Sequence, residues 1–230
     1  MLSFVYMKSL LKSFPLKFLF PFLFLLSLFL NLFLLKDKIN PLSKIEGILV
    51  IGVIDGDTIV LEGKTRLRLR GLDAPELNYC LGPEAKTALE NLVNNKRVIV
   101  KEQIIDQFGR PMGLVYQADT FINLEMLRLG FARFHSDNHS QREFLKKAYD
   151  EARIKEIGIF SPLCHQTENP ANPKCNIKGN IDKSTDTHLY YLPGCVQYNT
   201  AVIEKDIGES WFCTEKEARD SGYTKSSRCP

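Results

Sequence analysis

The chain has no decisive net charge, no Cys-x-x-Cys pair and no small-residue cleavage site behind its apolar N-terminal run. Each absence removes a class. Lys and Arg number 30 against 27 Asp and Glu, a formal charge of +3, and residues 45–160 carry sixteen basic against seventeen acidic side chains. The body is therefore not a general polyanion-binding surface, and any contact with nucleic acid must come from a local patch. Without Cys-x-x-Cys a zinc ribbon is disfavoured. His135 and His139 stand four apart but fall in a polar Ser-Asp-Asn loop, where solvated histidines are expected rather than metal ligands. His165 and His188 carry no signal, and the tail beyond residue 160 holds no catalytic constellation.

What is present starts at the N-terminus. Residues 18–35 form a Phe/Leu run broken only by Pro21, Ser27 and Asn31, preceded by Lys8, Lys12 and Lys17. That is membrane-span length, longer than the core of a secretory signal, so residues 18–35 are read as an uncleaved anchor. The basic segment 1–17 is placed inside and the body outside. A cleaved segment would leave the body secreted. Residues 36–44 read as a linker.

The stretch from Ile54 to Glu76 organises the rest. It reads as a strand, an Asp-Gly turn, a second strand, a Glu62-Gly63-Lys64 turn and a third strand alternating Leu and Arg, ended by Pro75. Period two places Arg66, Arg68 and Arg70 on one face and Leu67 and Leu69 on the other. Asp55-Gly56 is turn chemistry. Asp57, Asp73 and Glu76 fall where carboxylates can face a cleft. Two carboxylates can seat a hard cation, a third can orient water, and an arginine fork can clamp a phosphate, a combination suited to phosphodiester hydrolysis.

Further strands are expected at 97–100 and 112–117. A helix opens at Gly82-Pro83-Glu84 with Ala85, Ala88, Leu89, Leu92 and Val93 as its stripe, and a second runs over 123–129. A third helix, begun by a Ser140–Glu143 capping box, runs to Lys155 with Phe144, Leu145, Ala148 and Ala152 inward. Five strands with three helices predict a mainly β, α+β domain built on an OB-type barrel over residues 45–160. Arg110 lies in the turn Asp106-Gln-Phe-Gly-Arg110.

Residues 48–160 resemble the thermonuclease, or staphylococcal-nuclease-like, family. The resemblance rests on Val53-Ile-Asp-Gly-Asp-Thr58, Arg68-Leu-Arg-Gly-Leu-Asp-Ala-Pro-Glu76, Gly82-Pro-Glu-Ala85, Asp106-Gln-Phe-Gly-Arg110 and Leu129-Gly-Phe-Ala132. It implies a Ca²⁺-dependent endonuclease acting on DNA or RNA to leave 3′-phosphates. Asp57, Asp73 and the backbone carbonyl of Ala74 are then the metal ligands, Glu76 the general base or water-positioning group, and Arg68 and Arg110 the phosphate-holding catalytic residues. Ala74 stands where a threonine is common and Phe108 where a phenol is common, and neither change removes a charged group. A catalytically silent surface module binding nucleic acid or a protein partner is the alternative. The chain is taken as a monomer.

Residues 161–173 read as a Pro/Asn-rich linker and residues 174–230 as a small cysteine-rich domain. Six cysteines outside a membrane segment suggest disulfides in an oxidising space. Cys164 could pair with Cys80 or with Cys175. Cys175-Asn-Ile-Lys-Gly-Asn180, Leu192-Pro-Gly-Cys195 and Trp211-Phe-Cys-Thr-Glu-Lys-Glu-Ala218 resemble a domain found after nuclease domains in bacterial surface proteins. Residues 212–230 also resemble the end of a zinc module in DNA alkylation repair proteins. Structural zinc on Cys175, Cys195, Cys213 and Cys229 with His188 is the alternative to disulfides.

Overall fold

The computed structural model describes residues 16–36 and 47–230. They fall in two compact units, Met1–Ile45 and Glu46–Pro230. The first contains α1 (Leu16–Lys36), whose side chains are described at residues 21–31 and 33 and are exposed there. Within it Asn31 Nδ2 donates to the Ser27 carbonyl at 2.7 Å. Among the described residues no helix is long and apolar enough to cross a membrane. The rest of the expected span at 18–35 lies outside the side chains described.

The second unit begins with β1 (Ile48–Val53), β2 (Thr58–Leu61), β3 (Arg66–Leu69), β4 (Leu72–Asp73) and α2 (Gly82–Val93). It continues through β5 (Arg97–Ile105), β6 (Pro111–Gln117), β7 (Thr120–Phe121), α3 (Ile122–Arg128), β8 (Arg133–Phe134) and α4 (Arg142–Ile154). The C-terminal part comprises β9 (His165–Gln166), β10 (Ile177–Asp182), β11 (Thr187–Tyr191), β12 (Ile203–Glu204), β13 (Ser210–Phe212), α5 (Glu215–Asp220) and β14 (Thr224–Lys225).

Strands β3, β2, β1, β5 and β6 are neighbours in that order, and a parallel β3–β6 pairing closes them into a five-stranded barrel. Alternation drives the closure. Ile59, Leu67, Leu69, Val98 and Val115 point inward and are fully buried, while Arg66 on the opposite face is exposed. Helices α2, α3 and α4 cover the barrel with Ala85, Leu89, Val93, Met126, Leu127 and Leu145.

Several expectations change on inspection. The third strand does not run unbroken towards Pro75. Gly71 adopts φ +80, which splits it into β3 and β4 and turns Arg70 into the interior. Arg70, expected on one face with Arg66 and Arg68, is therefore buried while Arg66 is exposed. The fourth strand extends to Ile105 across a bulge between Lys101 and Ile104, with Glu102 at φ +47, a break in alternation that hides the continuation from pattern reading. The capping box at Ser140–Glu143 is absent. Gln141 is the N-cap without a side-chain bond, Ser140 bonds Glu102, and Glu143 pairs with Arg142. Phe144 is 65% exposed, whereas Leu145, Ala148 and Ala152 are buried.

In the C-terminal part, β13, β10, β11 and β14 form a four-stranded sheet over Ile177, Tyr190, Phe212, Ala218 and Tyr223. Thr214 caps α5 by accepting from the Glu217 amide, and Glu217 accepts in return from the Cys213 amide. All six cysteines are joined, as Cys80–Cys164, Cys175–Cys213 and Cys195–Cys229. The pairing leaves no thiolate for the zinc alternative. Within residues 161–173, β9 pairs with β12, so that segment is bonded into the body.

Candidate functional site

The site grows from the β1–β2 turn. Asp55 Oδ1 accepts from the Asp57 amide at 3.1 Å, the local turn bond expected of an Asp-Gly corner. Gly56 is required by packing. A Cβ there would meet the Ala74 and Ala85 side chains at 2.6 and 2.7 Å, so only glycine lets this corner lie against the Asp73-Ala74 segment and α2. Asp57 is thereby driven inside, 2% exposed. Its Oδ1 accepts from Thr58 Oγ1 at 2.8 Å and its Oδ2 from the Ala74 amide at 2.9 Å.

Strand register delivers the arginine. Thr58 lies directly opposite Arg68 in the β2–β3 pair, so Arg68 shares the face on which Thr58 meets Asp57. The Arg68 guanidinium bridges the two acids, Nη1 to Asp57 at 2.5 Å and Nη2 to Asp73 at 2.6 Å. Two of its five N–H donors are used in these bonds, and three remain for an anion. Burial lifts the Asp57 carboxyl from 3.8 to about 7 against the opposing pull of Arg68. Burial lowers Arg68, yet Asp57 and Asp73 hold it above its ordinary range.

The structure thus brings Asp57, Asp73, Ala74 and Arg68 together. It does not bring in the other two expected residues by direct contact. Glu76 lies three residues beyond Asp73 with an exposed side chain, and its carbonyl accepts from the Tyr79 amide at 2.9 Å. Arg110 is 53% exposed, paired with Asp106 at 2.7 Å and 5.1 Å from the centre of the exposed Phe108 ring. Its turn leads straight into β6, whose Met112 is the parallel neighbour of Arg68. Among the described residues no group of three or more His, Cys, Asp or Glu is gathered for a metal.

Two supports of the site escaped the sequence reading. Asp73 pairs across strands with Arg133, whose side chain is held by Asp206 at 2.7 and 2.9 Å and by Glu204 at 3.1 Å. The next segment is also tied to the C-terminal part. The Cys80 amide donates to the Lys205 carbonyl, Tyr79 packs on Gly208, and Cys80 is bonded to Cys164. No local pattern marks Asp206, which lies 73 residues beyond Arg133. The second support is Arg70. It bonds Asp137 at 2.5 Å and the carbonyls of Glu102 and Asn138, and the buried His139 sits 3.2 Å from Asp137. His139 is therefore a packed histidine rather than a solvated one. Burial lowers its pKa, although Asp137 opposes the shift. The alternation of arginines in β3 could have pointed to a buried partner for Arg70, but not to which one.

A closed five-stranded barrel whose rim carries two carboxylates bridged by an arginine defines an OB-type barrel with a charged polar site at its rim. The family model described as "Staphylococcal nuclease homologue" matches residues 66–162, which include Arg68, Asp73, Glu76 and Arg110, while Asp57 precedes the matched segment. The thermonuclease of Staphylococcus intermedius is 32% identical over 128 residues, covering 50% of this chain and 76% of that protein. An uncharacterized endonuclease of Haemophilus influenzae is 30% identical over 128 residues, 54% of this chain and 68% of that protein. A probable staphylococcal-like nuclease of Oryza sativa subsp. japonica is 37% identical over 117 residues, 51% of this chain but 30% of that protein. The chain belongs to the staphylococcal nuclease homologue family. It spans about a third of the length of the plant relatives it matches.

Proposed function

We propose that the chain is a Ca²⁺-dependent nuclease that hydrolyses phosphodiester bonds of DNA or RNA to 3′-phosphate products. The observation that carries this reading is the Arg68 bridge between a buried and a half-exposed carboxylate. Asp57 is costly to ionise where it sits, as its raised pKa records, and a hard cation beside it would offset that cost. Asp57, Asp73 and the Ala74 carbonyl form an all-oxygen set that fits calcium, with water completing the shell. When bound, calcium supplies positive charge to a phosphate oxygen.

The remaining steps belong to the chain. The free N–H groups of Arg68 hold the phosphate and orient the ester. Glu76, on its exposed segment, takes the proton of the attacking water. Arg110, freed from Asp106, donates to the oxygens on which charge builds. The relatives' names support nuclease chemistry, and preorganised donors of this kind contribute factors of about 10²–10³ each.

A further part of the proposal is anchorage through residues 18–35 with the body outside the cell. Support comes from the Phe/Leu composition of α1 and from the exposure of Phe24 and Phe29, at 67% and 70%.

The test is cleavage of matched DNA and RNA by the purified full chain, titrated with calcium and then with chelator. Cleavage that follows calcium is expected. Glu76→Gln and Arg110→Ala should each lower kcat by about 10²-fold or more without changing the unfolding free energy by more than about 0.5 kcal/mol. Binding of nucleic acid without cleavage at any calcium concentration would instead identify a silent binding module.

A further inference from the structure

The C-terminal sheet has two unlike faces. Ile177 on β10 points into the small core, and the next residue, Lys178, points the other way. Lys178 is only 2% exposed. Its Nζ donates to the carbonyls of Tyr198 at 2.9 Å and Ala201 at 2.7 Å, and lies 4.6 Å from the centre of the Tyr198 ring and 5.6 Å from that of Trp211. An ammonium carries three N–H donors, so one is left over after the two carbonyls. Among the described residues no carboxylate lies within ion-pair distance of it. Burial lowers its pKa while Glu168 acts in the opposite sense.

Lys178 forms the floor of a cavity of about 440 Å³ walled by Tyr198, Trp211, Glu168, Asn176 and Asn199. That volume suits a small organic ligand. The cavity shares no residue with the Asp57–Arg68–Asp73 site. The side chains of Glu168, Asn176 and Asn199 make no hydrogen bond or ion pair among the described residues. The wall therefore presents unused donors and acceptors, one group of each charge, and two aromatic rings.

We infer that this cavity, floored by Lys178 between Tyr198 and Trp211 and edged by Glu168, Asn176 and Asn199, binds a neutral oligosaccharide. A hydroxyl both donates and accepts, so adjacent sugar hydroxyls can accept from Lys178 and the amides while donating to Glu168. The C–H face of a sugar ring is apolar and suits an aromatic wall. A phosphate would meet the Glu168 carboxylate, and an organic cation would meet Lys178. The surroundings do not favour a polyanion either, since residues 161–230 carry eight Lys and Arg against nine Asp and Glu.

Trp211 is the single tryptophan of the chain, so its fluorescence reports on the cavity alone. The full chain, held in a detergent without a sugar headgroup, is titrated with cellotetraose, maltotetraose and chitotetraose, and separately with inorganic phosphate and an eight-residue oligothymidylate. A saturable change with at least one tetrasaccharide is expected. Lys178→Met and Asn199→Ala should each weaken it at least tenfold. Asn199 is exposed on a loop, so its variant decides the matter if Lys178→Met fails to fold. The inference is overturned if none of the three sugars gives saturation, if only phosphate or the oligonucleotide does, or if Asn199→Ala binds within threefold of the parent chain. Cleavage is not read in this experiment, so its outcome is separate from that of the nuclease proposal.

Discussion

At the scale of single residues, Asp57 makes a prediction that needs no substrate. Its carboxyl titrates at about 7 in the folded chain against 3.8 for the ordinary group. The folded state therefore keeps a proton that the unfolded state releases. The contribution of this group to stability is fully present below about pH 4 and is lost as pH rises through 7, by at most about 1.4 kcal/mol per pH unit. Urea midpoints of the calcium-free chain between pH 4.5 and 6.5 should carry this downward component, and Asp57→Asn should remove it. A variant whose pH profile runs parallel to the parent would refute the burial argument. In the proposed mechanism calcium is bound by the ionised carboxylate, so its addition should stabilise more at pH 8 than at pH 5. Asp57, Asp73 and Arg68 were legible as a cluster because they sit at strand ends in register, within seventeen positions of sequence. Arg70 and His139 were not. Arg70's partners Asp137 and Asn138 come from 67 and 68 residues away, His139 is buried where that segment folds over Gly71, and periodicity says nothing about such contacts.

At the scale of elements, the corner between β1 and β2 and the pair β4–β8 hold the acids in place. Gly56→Ala would push its Cβ into Ala74 and Ala85, and overpacking of this kind costs about 1–3 kcal/mol. The variant should also need more calcium for half-maximal cleavage, because Ala74 and Asp57 are displaced together. Normal calcium demand with normal stability would show that the corner tolerates a methyl group. On the other side, Asp206→Ala strands Arg133, whose side chain is only 16% exposed, and should cost about 3 kcal/mol. Its effect on cleavage should appear in calcium demand, through Asp73, with partial recovery in Asp206→Glu. An Asp206→Ala chain as stable as the parent would mean that Glu204 alone satisfies the guanidinium. The strands of the barrel were readable from alternation and turn residues. The two-residue strands β4 and β8 were not, because two residues are too few to show a period and their pairing is set by tertiary contact.

At the scale of the whole molecule, the described residues 47–230 belong to one compact unit. The expectation of disulfides in the tail was sound, since composition and the absence of Cys-x-x-Cys exclude most other uses of six cysteines. Connectivity was open until three-dimensional proximity fixed it. Cys80–Cys164 closes a separation of 84 residues, worth about 4.5 kcal/mol by the loop-entropy relation. Replacing both cysteines by serine should lower unfolding stability by several kcal/mol, and the reduced parent, which loses all three disulfides, should be no more stable than that variant in denaturant titration. Equal stability of the oxidised parent and the double variant would refute the assignment.

The same covalent link joins the stretch just after Glu76 to the far end of the barrel domain. Thiol-rich surroundings undo such links, and this stretch is then held to the C-terminal part by the Cys80–Lys205 backbone bond and the packing of Tyr79 on Gly208. In the proposed mechanism, the placement of Glu76 then follows the redox state of a bond four residues away.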